Sequence, residues 1–504
     1  MTSTRRSRAL LAASVVLVTL LYSIDSTIVN VALPHMQGSL QATQDQAAWI
    51  ATAYIVVSAI VTPLMGWFGS RYGLRTVMLV SIIGFTISSM LCGAATSLTE
   101  IVLFRAMQGA FGSALIPLSQ VTILEEFPAA SFKRVMAAWA TASMIGPVIG
   151  PTLGGYLTEN LSWRWAFYIN LPIGVLAWLG ITASMPKRQA QTYRPFDVTG
   201  FIFLSFAVGL LQLMLDRGQT LDWFDSPEIV AELFFSAICF YVYIGHALTH
   251  RHPFVDPHLF RDRNYTMCLL IQAAIGATSM SPSVLLPTFL QQLQGYSPAQ
   301  TGWIMGSRGA AGILAMAVVN RLPARLDPRI SMMGGMLLGS VTLWSMGSFS
   351  VDTPASYFVT TGLLLGVSMP FTFIPTQLLA FSTLPKTSRT EAGVVLRLGI
   401  GLGGAMGISA VVAELARSAQ INHSYLTEFF TPYSVDRWQA IGGNAGANAA
   451  TGSLIGEISR QALTIAYAND FHLLAIMSLI CVPLICMIRP IVDAERPAVP
   501  VESV

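Results

Sequence analysis

Residues 9–33 read ALLAASVVLVTLLYSIDSTIVNVAL, and Asp25 is the one charged residue in this stretch. An apolar run of about 20 residues can cross a bilayer as a helix, because its backbone hydrogen bonds are all made within the segment. The run follows Arg5, Arg6 and Arg8, yet it is too long for the apolar region of a cleaved signal peptide and contains a carboxylate. It therefore predicts a membrane-spanning helix.

The rest of the chain has the same apolar character. Of its 504 residues, 53% are hydrophobic and 11% are charged, whereas a soluble domain carries about 25% charged residues. This composition excludes an ordinary soluble enzyme, a disordered protein and a nucleic-acid binder. Reading for apolar runs predicts fourteen spans, near residues 9–33, 47–68, 76–96, 99–122, 135–158, 164–185, 196–215, 228–249, 265–290, 301–321, 330–350, 357–380, 393–416 and 469–490.

The basic residues predict how these spans are oriented. Of the 28 Lys and Arg residues, 20 lie in segments on the same side as the N-terminus, and five lie in segments on the opposite side. Because cytoplasmic loops are enriched in Lys and Arg, both termini are predicted to be cytoplasmic. The three remaining basic residues lie inside predicted spans: Arg105, Arg308 and Arg397.

Linkers divide the spans into three parts. Residues 1–185 and 264–504 each contain six spans and predict two helical bundles, while residues 186–263 contain an inserted transmembrane hairpin with its linkers. The predicted fold class is thus an all-α integral membrane protein. Residues 417–468 form the one long outer loop, in which 453–467 has an amphipathic pattern. That segment is either a helix lying on a surface or part of an ordered lid without a binding role.

An ordered set of motifs resembles a known family. The residues that carry the resemblance are 24–34 (IDSTIVNVALP), 66–75 (GWFGSRYGLR), 105–109 (RAMQG), 146–155 (GPVIGPTLGG), 163–172 (WRWAFYINLP), 211–218 (LQLMLDRG) and 221–224 (LDWF). Together they are similar to the major facilitator superfamily, specifically its fourteen-span drug:proton antiporters of the EmrB/QacA type, and most closely to the Emr-type export permeases. The resemblance implies the major facilitator fold.

The loop after the second span resembles the gate motif of that superfamily. The resemblance assigns Gly66, Arg71, Gly73 and Arg75 to the motif. The chain departs from the pattern at Ser70, where the family usually has an aspartate, so the acidic part of the cytoplasmic latch is missing. The basic part is retained.

The fifth predicted span carries the antiporter motif. In antiporters of this family the segment is thought to act as a hinge or as a seal against proton leak. Small residues let helices pack closely, and prolines bend a helix, so the motif has a packing role in either case. Its residues here are Gly146, Pro147, Gly150, Pro151, Gly154 and Gly155.

Asp25 and Arg105 are predicted to be the proton-coupling residues. An ionisable group in mid-membrane costs about 2.5–3.5 kcal/mol on insertion scales, so it requires a partner or a function. Helical spacing places Tyr22 on the Asp25 face with Asn30 nearby, and it places Gln108 on the Arg105 face. Two interpretations stay open for Asp25, a proton-coupling carboxylate or a permanent structural ion pair. For Arg105 they are a coupling partner or a structural clamp.

Arg308 and Arg397 are further candidates for substrate binding or coupling. Arg308 has no acidic partner evident in the predicted spans, so it is expected to bind an anionic substrate, a lipid or a backbone carbonyl. Arg397 precedes Gly403 and Gly404, whereas the family places its glycines closer to the arginine.

The sequence offers no site for a metal or a cofactor. His246, His250 and His252 have spacing that suits metal chelation, but their position favours an interfacial helix end. The chain contains neither a zinc protease motif, nor a nucleophile elbow, nor a phosphate-binding P-loop. We therefore predict no enzyme activity, no cofactor and no bound metal.

These observations predict a proton-coupled multidrug exporter that works by alternating access of the two bundles. Its expected substrates are amphipathic or hydrophobic drug-like compounds, and its expected location is the inner membrane, in contact with lipid. The alternative is an exporter or importer of one metabolite, such as an organic acid, a siderophore or a lipid precursor. The Emr-type resemblance also implies a periplasmic adaptor protein and an outer-membrane channel as partners.

Overall fold

The computed structural model describes residues 2–127, 129–187, 196–218, 221–250, 253–255, 257–319, 327–384, 389–428 and 447–489. Within these ranges every regular element is helical. The first ten α-helices are α1 (Thr2–Ser39), α2 (Gln44–Tyr72), α3 (Leu74–Ala94), α4 (Leu98–Gly112), α5 (Leu115–Glu126), α6 (Ala129–Asn160), α7 (Trp165–Tyr168), α8 (Asn170–Ser184), α9 (Val198–Arg217) and α10 (Pro227–Thr249). The others are α11 (Arg263–Gln292), α12 (Pro298–Val319), α13 (Pro328–Met346), α14 (Ala355–Ser382), α15 (Arg389–Glu428) and α16 (Ala447–Cys486).

Helices occur at every predicted span. Eleven helical stretches in the described ranges are long and apolar enough to cross a membrane, so the prediction of an all-helical multi-pass membrane protein is confirmed. The three other helices, α2, α6 and α13, coincide with the predicted spans near 47–68, 135–158 and 330–350. The count of fourteen is not confirmed by the eleven and stays a prediction.

Two predicted spans are interrupted in the structure. The span near 99–122 breaks at Ser113 and Ala114 into α4 and α5. The span near 164–185 breaks at Ile169 into the short helix α7 and the longer α8. Periodicity did not predict either break, because the apolar run continues through both.

Two groups of helices form the main body. In the N-terminal group, α1 packs against α6 and α8, while α4 packs against α2 and α3. In the C-terminal group, α11 packs against α15, α14 lies between α12 and α13, and α16 contacts both α13 and α15. Each group has its own apolar core, one around Phe85 and Ile181 and the other around Tyr265 and Met332.

The inserted hairpin consists of α9 and α10, which pack along each other. α9 also contacts α2 and α15, so the hairpin lies beside the line where the two groups meet. Gln212 on α9 donates a hydrogen bond to Ser409 on α15. The hairpin is therefore attached to the C-terminal group by a polar contact as well as by apolar packing.

The two groups are joined at the outer end, which we define as the end where α1 finishes at Ser39. Gln291 Nε2 donates to the Val31 carbonyl at 2.9 Å, and the Ala299 backbone N–H donates to Glu159 Oε2 at 3.0 Å. Gln292 Nε2 also donates to Gln37 Oε1 at 3.1 Å. One apolar cluster at this end contains buried residues of both groups. The outer end of the molecule is thus closed.

The segment predicted as the long outer loop, 417–468, is largely helical where the structure describes it. α15 continues to Glu428 and α16 begins at Ala447, so residues 429–446 are the part that lies outside the described residues. The amphipathic stretch 453–467 is not a separate surface helix but the first part of α16, because its apolar positions continue into the span. Ile458, Ala462 and Tyr467 are buried there.

Candidate functional site

Asp25 lies at the centre of a buried polar network in the N-terminal group. Its carboxylate is fully buried, and Arg105 Nη1 donates to Oδ2 at 3.0 Å. Gln108 Nε2 and Asn170 Nδ2 both donate to Oδ1 at 2.7 Å. The carboxylate therefore has one cationic and two neutral donors, and these come from two other helices.

Arg105 is held by three further contacts. Its Nε donates to the Ile50 carbonyl at 3.2 Å, and its Nη1 also donates to Gln108 Oε1 at 2.8 Å. The guanidinium carbon lies 4.0 Å from the centre of the Tyr54 ring, a cation–π arrangement. Arg105 is 2% exposed. Its charge is thus balanced inside the protein by the Asp25 carboxylate.

A glycine allows α4 to bring Arg105 to this position. A Cβ at Gly109 would lie 2.5 Å from the Tyr54 carbonyl oxygen, so a larger residue would push α4 away from α2. Gly109 follows Gln108 directly in the RAMQG motif. The motif therefore combines the two donors with the small residue that their position requires.

Asn170 and Ser89 belong to the network, although sequence analysis did not predict them as site residues. Asn170 is fully buried at the start of α8, and its Nδ2 also donates to Ser89 Oγ at 2.9 Å. The available signal was a lone asparagine at the entry to an apolar span, in the stretch 163–172. The break between α7 and α8 lies immediately before it.

Tyr22 and Asn30 flank the network without bonding to the carboxylate. The half-buried Tyr22 packs against Tyr54, with ring centres 6.2 Å apart. Asn30 is half-buried about one and a half helical turns after Asp25 in α1. Among the described residues no hydrogen bond joins it to Asp25. Of the residues predicted near Asp25 and Arg105, Gln108 forms hydrogen bonds with both. Tyr22 is connected to Arg105 only through the Tyr54 ring, which contacts both side chains.

The antiporter motif packs directly against the helix that carries Asp25. A Cβ at Gly146, Gly150 or Gly154 would collide with Ser23, Thr27 or Ile28 of α1, respectively. The Thr27 hydroxyl also donates to the Gly146 carbonyl at 3.1 Å. On the other side of α6, Gly155 meets Pro298 and Pro151 meets Gly302, both on α12. Pro147 lies in α6 as well. The motif therefore packs against α1 on one side and against α12 of the C-terminal group on the other.

The gate-motif residues lie at the inner end of the N-terminal group. Gly66 is within α2, and Gly73 joins α2 to α3 with φ of 85°, a conformation that favours glycine. Arg75 Nη2 donates to the Thr182 carbonyl at 2.6 Å, while the exposed Arg71 lies over the Trp67 ring at 5.1 Å. These contacts fix the α2–α3 turn against α8.

Arg308 and Arg397 lie in the C-terminal group and are not part of the Asp25 network. Arg308 Nη1 donates to Ser283 Oγ at 3.1 Å, and its Nη2 donates to the Ser279 carbonyl at 2.8 Å. It lines a cavity of about 30 Å³ together with hydroxyl and thioether side chains: Thr278, Ser368, Thr372, Ser478, Met336 and Met369. Arg397 is half-buried on α15.

The histidine cluster gains a partner that the sequence did not indicate. Ligand atoms of Asp197, His246 and His250 all lie within 4.8 Å of one another, at the inner end of the hairpin. Asp197 caps α9 through the Gly200 N–H, and its Oδ1 lies 2.7 Å from His246 Nε2. His252 lies outside the described residues. The group ties α10 to the start of α9.

The fold and the site together define a multi-pass α-helical membrane transporter. Residues 15–408 match the model of the Major Facilitator Superfamily, and the chain belongs to this superfamily. Its relatives include the multidrug export protein EmrB of Escherichia coli K12, which is 31% identical over 481 residues, covering 94% of each chain. The fatty acid resistance protein FarB of Neisseria gonorrhoeae is 30% identical over 472 residues, covering 93% of each chain.

Solved structures show the same fold. A bacterial homolog of the human lysosomal transporter Spinster, in an inward-facing conformation, matches with a TM-score of 0.65 and 14% identity, covering 96% of this chain and 98% of that chain. The nucleoside transporter NupG matches with a TM-score of 0.64 and 11% identity, covering 95% of this chain and all of the other. The prediction of a major facilitator fold from the sequence motifs is confirmed.

Proposed function

We propose that this chain is a proton-coupled multidrug efflux transporter that exports amphipathic and hydrophobic compounds by alternating access. The observation that carries the proposal is the buried Asp25–Arg105 pair with its donors Gln108 and Asn170. Export relatives that align over most of the chain support the direction and the breadth of transport. We place the protein in the inner membrane with both termini in the cytoplasm, as the charge distribution of the loops predicts.

Proton binding at Asp25 would change the whole network. Both donors to Oδ1 and the one to Oδ2 point their protons at the carboxylate, so an added proton removes the charge that attracts them. Arg105 would then be a buried cation with only neutral partners, a state that costs several kcal/mol unless water or a new partner reaches it. Binding of a proton and release of Arg105 are therefore coupled.

The antiporter motif gives this local change a route to the other half. α1 carries Asp25 and packs on the glycines of α6, and α6 in turn packs on α12. A shift of α1 that follows loss of the ion pair changes the α6–α12 contact, which is part of the closed outer end. We assign the motif the role of hinge on this basis.

The driving force suffices for export against a gradient. One proton that crosses about 100 mV supplies about 2.3 kcal/mol, and each pH unit adds about 1.4 kcal/mol. We assign no catalytic chemistry to the chain, since gradient and binding account for the proposed activity.

A second candidate is the export of one class of metabolite with an anionic head group. The relative FarB is named for fatty acid resistance. Arg308 lines a cavity of mixed polar and apolar character, and its acceptors among the described residues, Ser283 Oγ and the Ser279 carbonyl, are neutral. A resistance profile over many unrelated compounds supports multidrug export. Resistance confined to long-chain carboxylates supports the alternative.

The proposed partners are a periplasmic adaptor protein and an outer-membrane channel. The support is the Emr-type resemblance, and the outer segments of α15 and α16 are the surface on which we expect the adaptor to bind. Co-purification of an adaptor from the native membrane tests this part of the proposal. Its loss on shortening residues 417–468 would locate the contact.

Transport in proteoliposomes tests the function. Proteoliposomes that contain the wild-type protein should accumulate fluorescent amphipathic dyes when a pH gradient is imposed. Without a gradient they should also exchange dye inside the vesicle for dye outside. Asp25→Asn should lose the gradient-driven uptake and retain the exchange, because asparagine has the size of the protonated aspartic acid but cannot release a proton. The matched control is Asp225→Asn, an exposed carboxylate at the hairpin tip, which should behave as wild type. Gradient-driven uptake by Asp25→Asn at the wild-type rate would contradict the assignment.

A further inference from the structure

Asp470, on α16, is a second buried carboxyl group within the membrane-spanning helices. Its exposed fraction is 0%, as it is for Asp25. Asp25 has three hydrogen-bond donors, whereas neither carboxyl oxygen of Asp470 has a hydrogen-bond partner among the described residues. The proposed mechanism so far gives this group no role.

The packing of α16 places Asp470 near the outer end of the C-terminal group. Ser340 of α13 donates to the Ala475 carbonyl. Asp470 is five residues before Ala475, and α13 ends six residues after Ser340, so Asp470 is about level with the end of α13. At this level the Phe471 ring contacts Phe349, and the Tyr467 ring contacts Phe289 of α11. Phe289 is two residues before Gln291, which bonds to the N-terminal group. Asp470 is therefore level with the layer that closes the outer end.

The charges around Asp470 do not stabilise an anion there. The charged group that acts on it is Glu414, on α15, which is half-buried and has the same sign. The rings at this level are those of Phe289 on α11 and of Phe349, which follows the end of α13. His472 lies on another face of α16, where its ring packs against the Trp344 ring at an angle of 46°. No cation among the described residues donates a hydrogen bond to Asp470.

An ionised carboxylate in this position would cost several kcal/mol, because it has lost its water and gained neither a donor nor a cation. The nearby Glu414 adds like-charge repulsion, which is stronger in a medium of low dielectric than in water. A bound proton removes the charge and with it both terms. The arrangement thus favours a neutral acid as long as the outer end is closed.

We propose that Asp470 is a second proton-binding site, located in the C-terminal half. It takes a proton from water at the outer end when that end opens, and it keeps the proton while the end is closed. Uptake forms one O–H bond on the carboxylate and removes its negative charge; release returns the proton to water. The place of this step in a transport cycle rests on the proposed proton-coupled function, but proton binding itself does not.

Infrared difference spectroscopy of the full-length protein in lipid nanodiscs tests the proposal. Spectra between acidic and alkaline solution report the carbonyl stretch of protonated carboxyl groups, without substrate and without transport. Asp470→Asn should lack one such band, and its titration should bind about one proton fewer per molecule. Asp25→Asn should retain that band. Asp352→Asn, an exposed carboxylate on the outer side, is the matched control and should retain it too.

Two results would overturn the proposal. One is a set of bands in Asp470→Asn that equals that of the wild type, and the other is a band of Asp470 that does not respond to pH over the whole range. If Asp470→Asn fails to fold, Asp470→Ser removes the same carboxyl group and is measured instead. Because the readout needs neither dye transport nor Asp25, its failure is distinct from failure of the efflux proposal.

Discussion

The two halves of the molecule treat buried charge in opposite ways. In the N-terminal half, Asp25 and Arg105 neutralise each other, and two amides complete the carboxylate. In the C-terminal half, Arg308 has only a hydroxyl and a backbone carbonyl, and Asp470 has no partner among the described residues. The N-terminal half thus contains a closed ion pair, whereas Arg308 and Asp470 in the C-terminal half form no ion pair with each other among the described residues.

This difference indicates a division of roles. A buried ion pair separates only when another species, such as a proton, competes with the cation for the carboxylate. Such a pair is therefore suited to couple proton binding to a conformational change. An ionisable group without a charged partner in the protein is stabilised when an oppositely charged ligand or a proton binds to it. Such groups therefore suit ligand or proton binding. The four predictions that follow test this division by changing one charge or one contact at a time.

Removal of Arg105 should have the largest effect. Arg105→Ala leaves the Asp25 carboxylate buried and uncompensated, which costs about 3–5 kcal/mol of the free energy of unfolding. Gradient-driven transport should be lost as well. Thermal unfolding of the purified variant measures the first effect and dye uptake the second.

The double variant Asp25→Asn/Arg105→Ala sharpens this test. It should recover part of the stability lost in Arg105→Ala, because the unpaired charge is removed, but it should not recover transport. Equal destabilisation in the single and double variants would mean that the pair contributes packing alone.

Addition of a methyl group at the contact between α1 and α6 should have the second largest effect. In Gly150→Ala the added Cβ collides with Thr27 Oγ1, and overpacking of this kind costs about 1–3 kcal/mol. We expect a severalfold loss of transport rate with normal insertion into the membrane. Gly209→Ala, on α9, has open space around the new Cβ and is the control that should keep the wild-type rate.

Arg308 should affect substrate choice rather than stability. A hydrogen bond to a charged group contributes about 1.5–3 kcal/mol, so Arg308→Gln should weaken transport of anionic compounds about tenfold or more and leave neutral compounds unaffected. Competition assays with matched acid and ester pairs measure this. Arg397→Gln is the comparison variant, and an equal loss for both members of the pair would remove the assignment of Arg308 to anion recognition.

A half-buried ion pair at the start of α13 should have the smallest effect. Asp327 caps α13, and the hydrogen bonds from Arg329 hold the pKa of this carboxyl below its usual range. Because the pKa is lowered in the folded state, the contribution to stability is present above about pH 4 and is lost as the pH falls. Asp327→Ala should cost about 1 kcal/mol or less at neutral pH and leave transport unchanged. Thermal unfolding at neutral and at acidic pH checks both statements.

Much of the fold and part of the site could be predicted from the sequence. The apolar runs predicted where helices occur, and the cost of a charge in an apolar run singled out Asp25 and Arg105. Hydropathy alone could not pair them, because they are 80 positions apart; the family resemblance made Arg105 a candidate coupling partner of Asp25. Asn170 was not predicted either, since it lies 145 positions after Asp25. Its polarity is ordinary at a helix start, and only the break before α8 directs it to the carboxylate. The continuation of α15 and α16 beyond their apolar spans could not be predicted from hydropathy.

The central claim is that Asp25 exchanges its cationic partner for a proton during export. The most direct test measures proton release when an amphipathic dye binds to the purified protein in weakly buffered solution. The account predicts about one proton released per dye bound by the wild type and by Asp225→Asn, and none at that step by Asp25→Asn. Undiminished release by Asp25→Asn would contradict it.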